Sequence, residues 1–136
     1  MSTFGANLWD DGTVQPPLIG IDIVEPGRLA QRLERTPALA AELFHAGERA
    51  YAATQPYPSE NLAARFAAKE AVSKALGLDG FEPLDVEVLA GGEQCSVVLH
   101  GEAAERAREL GVVVTISLTH LASLTAAVAL ARRLDE

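Results

Sequence analysis

The sequence predicts an α+β domain, an antiparallel-rich sheet packed with one long central helix. Two observations carry this. Strand-like runs stand next to one another in the second half of the chain, as hairpins do, and the helical stretches are grouped together, without the regular βα alternation of a parallel sheet. The helical stretch from Ser59 to Gly77 carries alanines on nearly every side, the pattern of a helix packed over much of its surface.

Residues 1–17 mix Gly, Asp, Asn and paired prolines with neither strand nor helix period, and read as a mobile leader before a domain at 18–136. From Leu18, Ile19, Ile21 and Ile23 alternate with Gly20, Asp22 and Val24, which predicts a strand with one face buried and places Asp22 opposite the isoleucines. Pro26 fits the first turn of a helix that runs to Thr36-Pro37, where the proline restricts its predecessor. Two shorter helices are expected around 38–44 and 47–54. Ser59 is the expected N-cap of the long helix and Gly77 its C-cap. LDVEVLA and CSVVLH flank GGEQ as a hairpin, a short helix follows over Gly101 to Leu110, and VVVTISL and SLTAAVALA supply two last strands around THLA.

The chain has 136 residues, 49% of them hydrophobic, and a formal net charge of -8, enough apolar content for one folded domain and too acidic for a general nucleic-acid binder. The lone Cys95 offers neither an internal disulfide nor metal-ligand spacing. No apolar stretch reaches the ~20 residues of a membrane helix, and the first residues lack a signal-peptide pattern, so the default address is the cytoplasm.

Four places could carry chemistry. Asp22 puts a carboxylate in an apolar strand beside a glycine that leaves room for an approaching group; the bland alternative is a strand-end aspartate capping the Pro26 helix. Glu70 and Lys74 share a helix face at i, i+4, either as a surface ion pair or, with Glu70 joining Asp22 around a hard divalent cation, with Lys74 facing substrate phosphates. Arg28, Arg32 and Arg35 line one stripe of the first helix, as a docking patch for an acidic partner or as a solvated face relieved by Glu25 or Glu34. His120 ends an apolar strand, where a structural hydrogen-bonding role competes with a catalytic one. Ser/His/Asp, reactive-thiol and phosphate-loop patterns are missing.

Together the pieces resemble the 4′-phosphopantetheinyl transferases of the holo-acyl-carrier-protein synthase type, from about Ile19 to Ala131. The resemblance rests on GIDIVE at 20–25, LAARFAAKEAVSKALG at 62–77, DVEV at 85–88 and SLTH at 117–120. It implies transfer of 4′-phosphopantetheine from coenzyme A to a serine of an acyl carrier protein or carrier domain, releasing adenosine 3′,5′-bisphosphate, in fatty acid or polyketide synthesis. It implies Mg²⁺ on Asp22 and Glu70, and coenzyme binding by Lys74, Arg65, Ser73, Gly77 and His120. Glu70 is the implied base, with Asp22, Lys74 and His120 beside it in catalysis, and carrier-protein docking falls on the Arg28, Arg32 and Arg35 helix. A homotrimer with sites between subunits is implied as well. The chain departs from relatives in a shorter GLDGFEPL segment with Asp79, in Leu121-Ala122 after the histidine, and in Thr125 where alanine is common. A catalytically weakened relative serving as an interaction module, or another Mg²⁺-dependent enzyme acting on a nucleotide, are the competing readings.

Overall fold

The computed structural model describes residues 18–90 and 95–134. The leader reading at 1–17 and the GGEQ turn lie outside those residues. The order is β1 (Ile19–Val24), α1 (Pro26–Arg35), α2 (Leu39–Leu43), α3 (Ala46–Ala53), α4 (Pro58–Leu76), one 3-10 turn (Pro83–Asp85), β2 (Val86–Leu89), β3 (Ser96–Leu99), α5 (Gly101–Leu110), β4 (Val112–His120) and β5 (Thr125–Arg133). β1, β5 and β4 form an antiparallel sheet in that order, and β2 and β3 a separate hairpin. The α+β expectation is met. No helix among the described residues is long and apolar enough to cross a membrane.

Local chemistry explains the boundaries. Pro26 opens α1 with its φ already helical and its missing N–H unneeded there, and Thr36 before Pro37 stops it. At α4 the same device displaces the expected cap: Pro58 takes the first turn, so Tyr57 is the N-cap and Ser59 lies inside the helix. Gly77 closes α4 at φ 66°, ψ 38°, a left-handed conformation that costs a glycine little. The last two strands extend to His120 and begin at Thr125, so the connecting turn is Leu121 to Leu124, closed by Leu121 N–H donating to Leu124 O at 2.7 Å.

α4 is the hub. It packs on β1, β5 and β4 and also contacts α1, α3, α5 and β2. Its alanines face Ala127, Ala129 and Ala131 of β5, and these small side chains let backbone approach backbone. A second cluster of Leu29, Leu43, Phe44 and Ala63 fixes α1 and α2 against the start of α4.

The alternation expected for β1 is present, and the face turned to α4 is the one bearing Gly20, Asp22 and Val24. Ile19, Ile21 and Ile23 are 54%, 60% and 58% exposed on the other side of the sheet. The reason is steric. A Cβ on Gly20 would stand 2.0 Å from Ala71 O and 2.9 Å from Ala75 N, so only glycine admits the helix this close. The Val24–Thr125–His120 end of the sheet is tied by Thr125 Oγ1 donating to Val24 O at 2.8 Å, which gives the departure at Thr125 a structural role.

Gly20→Ala is therefore expected to destabilise the domain by about 3 kcal/mol or more, above the usual range for overpacking because backbone rather than side chain must move. Gly27→Ala in α1, where an added Cβ meets nothing within 4 Å, is the control and is expected to be neutral or stabilising. Urea unfolding of the two variants checks this.

Candidate active site

Close packing of β1 on α4 brings residues 48 positions apart to one place. Asp22 lies on the helix-facing side of β1, its side chain 14% exposed, and its Oδ1 accepts from Lys74 Nζ at 3.1 Å. The same ammonium donates to Ile21 O at 3.0 Å. Lys74 thus pairs with Asp22 and not with Glu70, as the i, i+4 spacing had suggested, because α4 lies against the strand and its lysine meets a carboxylate and a carbonyl there at once. Asp22 also does not cap α1. Glu25 occupies that N-cap position, and no side chain caps the helix.

Glu70, one turn before Lys74, is half-buried and accepts no hydrogen bond among the described residues. Burial, and then the charge of Asp22, push its carboxyl above the usual range, while Lys74 pulls the other way. Two carboxylates and one ammonium therefore share a partly desolvated space, with one negative charge left over. Such a set has room for a further cation.

The neighbouring cations divide by burial. Arg65 of α4 is 3% exposed, with its guanidinium 4.7 Å from the centre of the Tyr51 ring and its Nε without a hydrogen-bond partner. No carboxylate pairs with it among the described residues. Arg28 and Arg32 are exposed and line a cavity of about 430 Å³ with Ile23, Val24, Leu29, Phe66 and Leu124, and Arg35 is exposed in the last turn of α1. Arg28 pairs with Glu25 at 3.3 Å, the relief expected for a crowded stripe.

His120 stands apart from Asp22 within one chain. In the sheet register it is aligned with Thr125 and Val24, so it is two strand spacings, about 10 Å, from β1. Its Nδ1 lies 2.9 Å from Glu60 Oε1 in the first turn of α4. Ser73 is buried and lines a second cavity with Leu78, Phe81, Asp85 and Glu102, near the Gly77 cap. Sequence reasoning missed Glu60, Tyr51 and the Lys74 to Asp22 pairing. Each is a contact between elements far apart in the chain, with no local spacing to reveal it.

The model of the 4′-phosphopantetheinyl transferase superfamily matches residues 18–129. The chain is similar to the holo-acyl-carrier-protein synthase of Moorella thermoacetica, 45% identical over 116 residues, covering 82% of this chain and 90% of that one. It is similar to the Streptomyces coelicolor enzyme of the same name, 43% identical over 117 residues, covering 83% and 94%. Among solved structures it resembles a Chronobacterium ammoniagenes complex of such a synthase with coenzyme A, TM-score 0.74, 29% identity, covering 85% and 96%. It also resembles the Helicobacter pylori synthase with coenzyme A, TM-score 0.71, 25% identity, covering 84% and 99%.

The raised Glu70 pKa has a definite sign for stability. The folded state holds this proton more tightly than the unfolded chain does, so stability falls as pH rises from the ordinary carboxyl value of 4.5 through the folded one. Glu70→Gln is expected to be more stable than the wild type at pH 7 in metal-free buffer, and the difference should vanish near pH 4. Denaturant unfolding at the two pH values checks it.

Proposed function

The chain belongs to the 4′-phosphopantetheinyl transferase superfamily, and we propose that the Asp22, Glu70 and Lys74 cluster is where it carries out that reaction. It transfers 4′-phosphopantetheine from coenzyme A to a serine of an acyl carrier protein. The observation that carries the site assignment is the surplus negative charge at the contact of β1 with α4, where Glu70 has no donor of its own.

The residues fit Mg²⁺: two hard carboxylate oxygens from different elements, one of them pushed toward its neutral form by burial and by the charge of the other. Asp22 and Glu70 would hold the ion, which would supply charge neutralisation for the coenzyme's pyrophosphate. Lys74, 56% exposed, has the reach to leave Asp22 and meet a phosphate. Arg65 supplies a buried cation that lacks an anion, Ser73 and the Gly77 cap line the approach, and His120, oriented by Glu60, contacts the coenzyme from its own end of the sheet. The serine Oγ bonds to the β-phosphorus of coenzyme A, and the bond from that phosphorus to the bridging oxygen breaks. Adenosine 3′,5′-bisphosphate leaves with that oxygen. Glu70, beside the reacting phosphate in this reading, takes the serine proton.

The active form in this reading is a homotrimer. The outer face of the sheet carries Ile19, Ile21 and Ile23 beside Val128 and Leu130, which are 37% and 49% exposed, a continuous apolar surface on an otherwise acidic chain. Further copies of the chain are the occupant that suits it. They also supply what one chain separates, because His120 of one subunit can stand over Asp22 and Glu70 of the next. The acidic carrier protein docks on Arg28, Arg32 and Arg35, the local patch that overcomes repulsion by a net charge of -8. The transferase domain takes residues 18–136 behind a leader at 1–17, and the reaction serves cytoplasmic fatty acid or polyketide synthesis.

Incubation with coenzyme A, Mg²⁺ and apo carrier protein, followed by mass spectrometry, should find the phosphopantetheine arm on the carrier serine. Asp22→Asn and Glu70→Gln are each expected to lower kcat/KM by about a hundredfold or more with the fold retained. Arg28→Glu should raise the KM for carrier protein about tenfold and leave that for coenzyme A unchanged. Carrier binding without any transfer would point instead to an interaction module.

Ile21→Glu tests the trimer, placing a charge at the centre of the apolar face. Sedimentation should give a monomer, with transfer reduced at least about tenfold. A fully active monomer would contradict the shared site.

A further inference from the structure

Two of the chain's three histidines lie together, on the side of α4 that carries Lys69. His45 is the N-cap of α3, His100 the N-cap of α5, and Glu87 lies between them on β2. One ring nitrogen of each histidine and one Glu87 oxygen fall within 4.8 Å of one another, and among the described residues no other group of three such ligand types does so. Nothing in the phosphopantetheine transfer uses them.

We propose that His45, Glu87 and His100 form a binding site for a borderline divalent transition metal, zinc being the ion that suits them best. The donor set is two imidazoles and a carboxylate, which takes zinc with an open fourth position for water and which Mg²⁺ disfavours. His100 Nε2 and Glu87 Oε1 are already 3.0 Å apart, close to the edge of about 3.3 Å that a tetrahedron with zinc–nitrogen bonds of about 2.05 Å requires. The two rings are 5.3 Å apart between centroids at a 38° tilt, and the three ligand atoms lie within 4.8 Å of one another, so binding one ion draws the His45 ring toward the pair.

The supports are built. His45 Nε2 lies 2.8 Å from Leu84 O, a backbone acceptor of the kind that orients metal-bound imidazole, and His45 N–H donates to Glu48 Oε1 at 2.7 Å. His100 N–H donates to Asp85 O at 2.7 Å, and Glu87 is held in the hairpin opposite Val98. All three backbones are thus fixed, while the side chains stay reachable, His100 at 42% and Glu87 at 25% exposure. A metal here would clip the hairpin to the starts of α3 and α5.

The test uses the untagged full-length chain stripped by chelator and titrated with Co²⁺, whose visible ligand-field band reports tetrahedral nitrogen and oxygen ligation. One equivalent per chain is expected to bind, to be displaced by Zn²⁺ and not by excess Mg²⁺, and to raise Tm. His100→Ala and Glu87→Gln should each weaken Co²⁺ at least tenfold with unchanged circular dichroism, whereas the Asp22→Asn, Glu70→Gln double variant should keep the band. The proposal is overturned if the wild type gives no tetrahedral band, if the band survives in both His100→Ala and Glu87→Gln, or if it disappears in the Asp22→Asn, Glu70→Gln variant, which would place the ion at the carboxylate pair.

Discussion

The arrangement rests on one buried charge. Lys69 of α4 is fully buried, and its ammonium donates to Glu48 Oε1 at 2.9 Å, to Pro83 O at 3.0 Å and to Val86 O. Glu48 in turn accepts from His45 N–H at 2.7 Å and from Val88 N–H at 2.9 Å. Burial pushes the Lys69 ammonium toward its neutral form, and the Glu48 hydrogen bond and charge oppose that. A buried pair is stabilising only when its remaining donors and acceptors are satisfied, and here both members are. Losing either partner of such a pair costs about 3–5 kcal/mol, because the other is left charged in the interior. The network therefore fixes α3, the 3-10 turn and β2 around α4 as one unit.

That clamp also decides which way the helix presents its chemistry. Lys69 and Glu70 are adjacent, so their side chains leave α4 about 100° apart, and committing the lysine to the hairpin side turns the glutamate toward β1. Gly20 completes the arrangement from the other side by letting the Ala71 backbone reach the strand. The contact of β1 with α4 then holds two carboxylates, Asp22 and Glu70, with Lys74 as the ammonium beside them.

Much of this was legible in the sequence because its signals are local. Pro26, Thr36-Pro37 and Gly77 mark helix ends through their own backbone restrictions, and the alternation in 19–24 and the GIDIVE and AAKEAVSK motifs placed Asp22, Glu70 and Lys74. What stayed hidden depends on tertiary distance. Alternation says that two faces differ, but which one meets the helix was decided by the absence of a Cβ at Gly20. The partner of Lys74 depended on a strand 52 residues away, and that of His120 on a helix turn 60 residues away. Lys69 was visible within the motif, yet nothing in its spacing marked it as the buried anchor and Glu70 as the free acid.

The exposed isoleucines connect fold to function in the same terms. Where β1 and β5 meet the middle of α4, the side chains turned to the helix are small, Gly20 with Ala127, Ala129 and Ala131, and they contribute little apolar area there, since each alanine removes far less surface from water than an isoleucine does. The large side chains of β1 face outward, so their apolar area is not removed from water by the fold of one chain. A helix packed closely enough on β1 to bring two carboxylates together thus requires small residues at the contact, and the strand's larger hydrophobes stand on its outer face. The same steric constraint that brings the acidic pair together therefore also leaves the sheet's outer face apolar and exposed, the surface on which the proposed trimer rests.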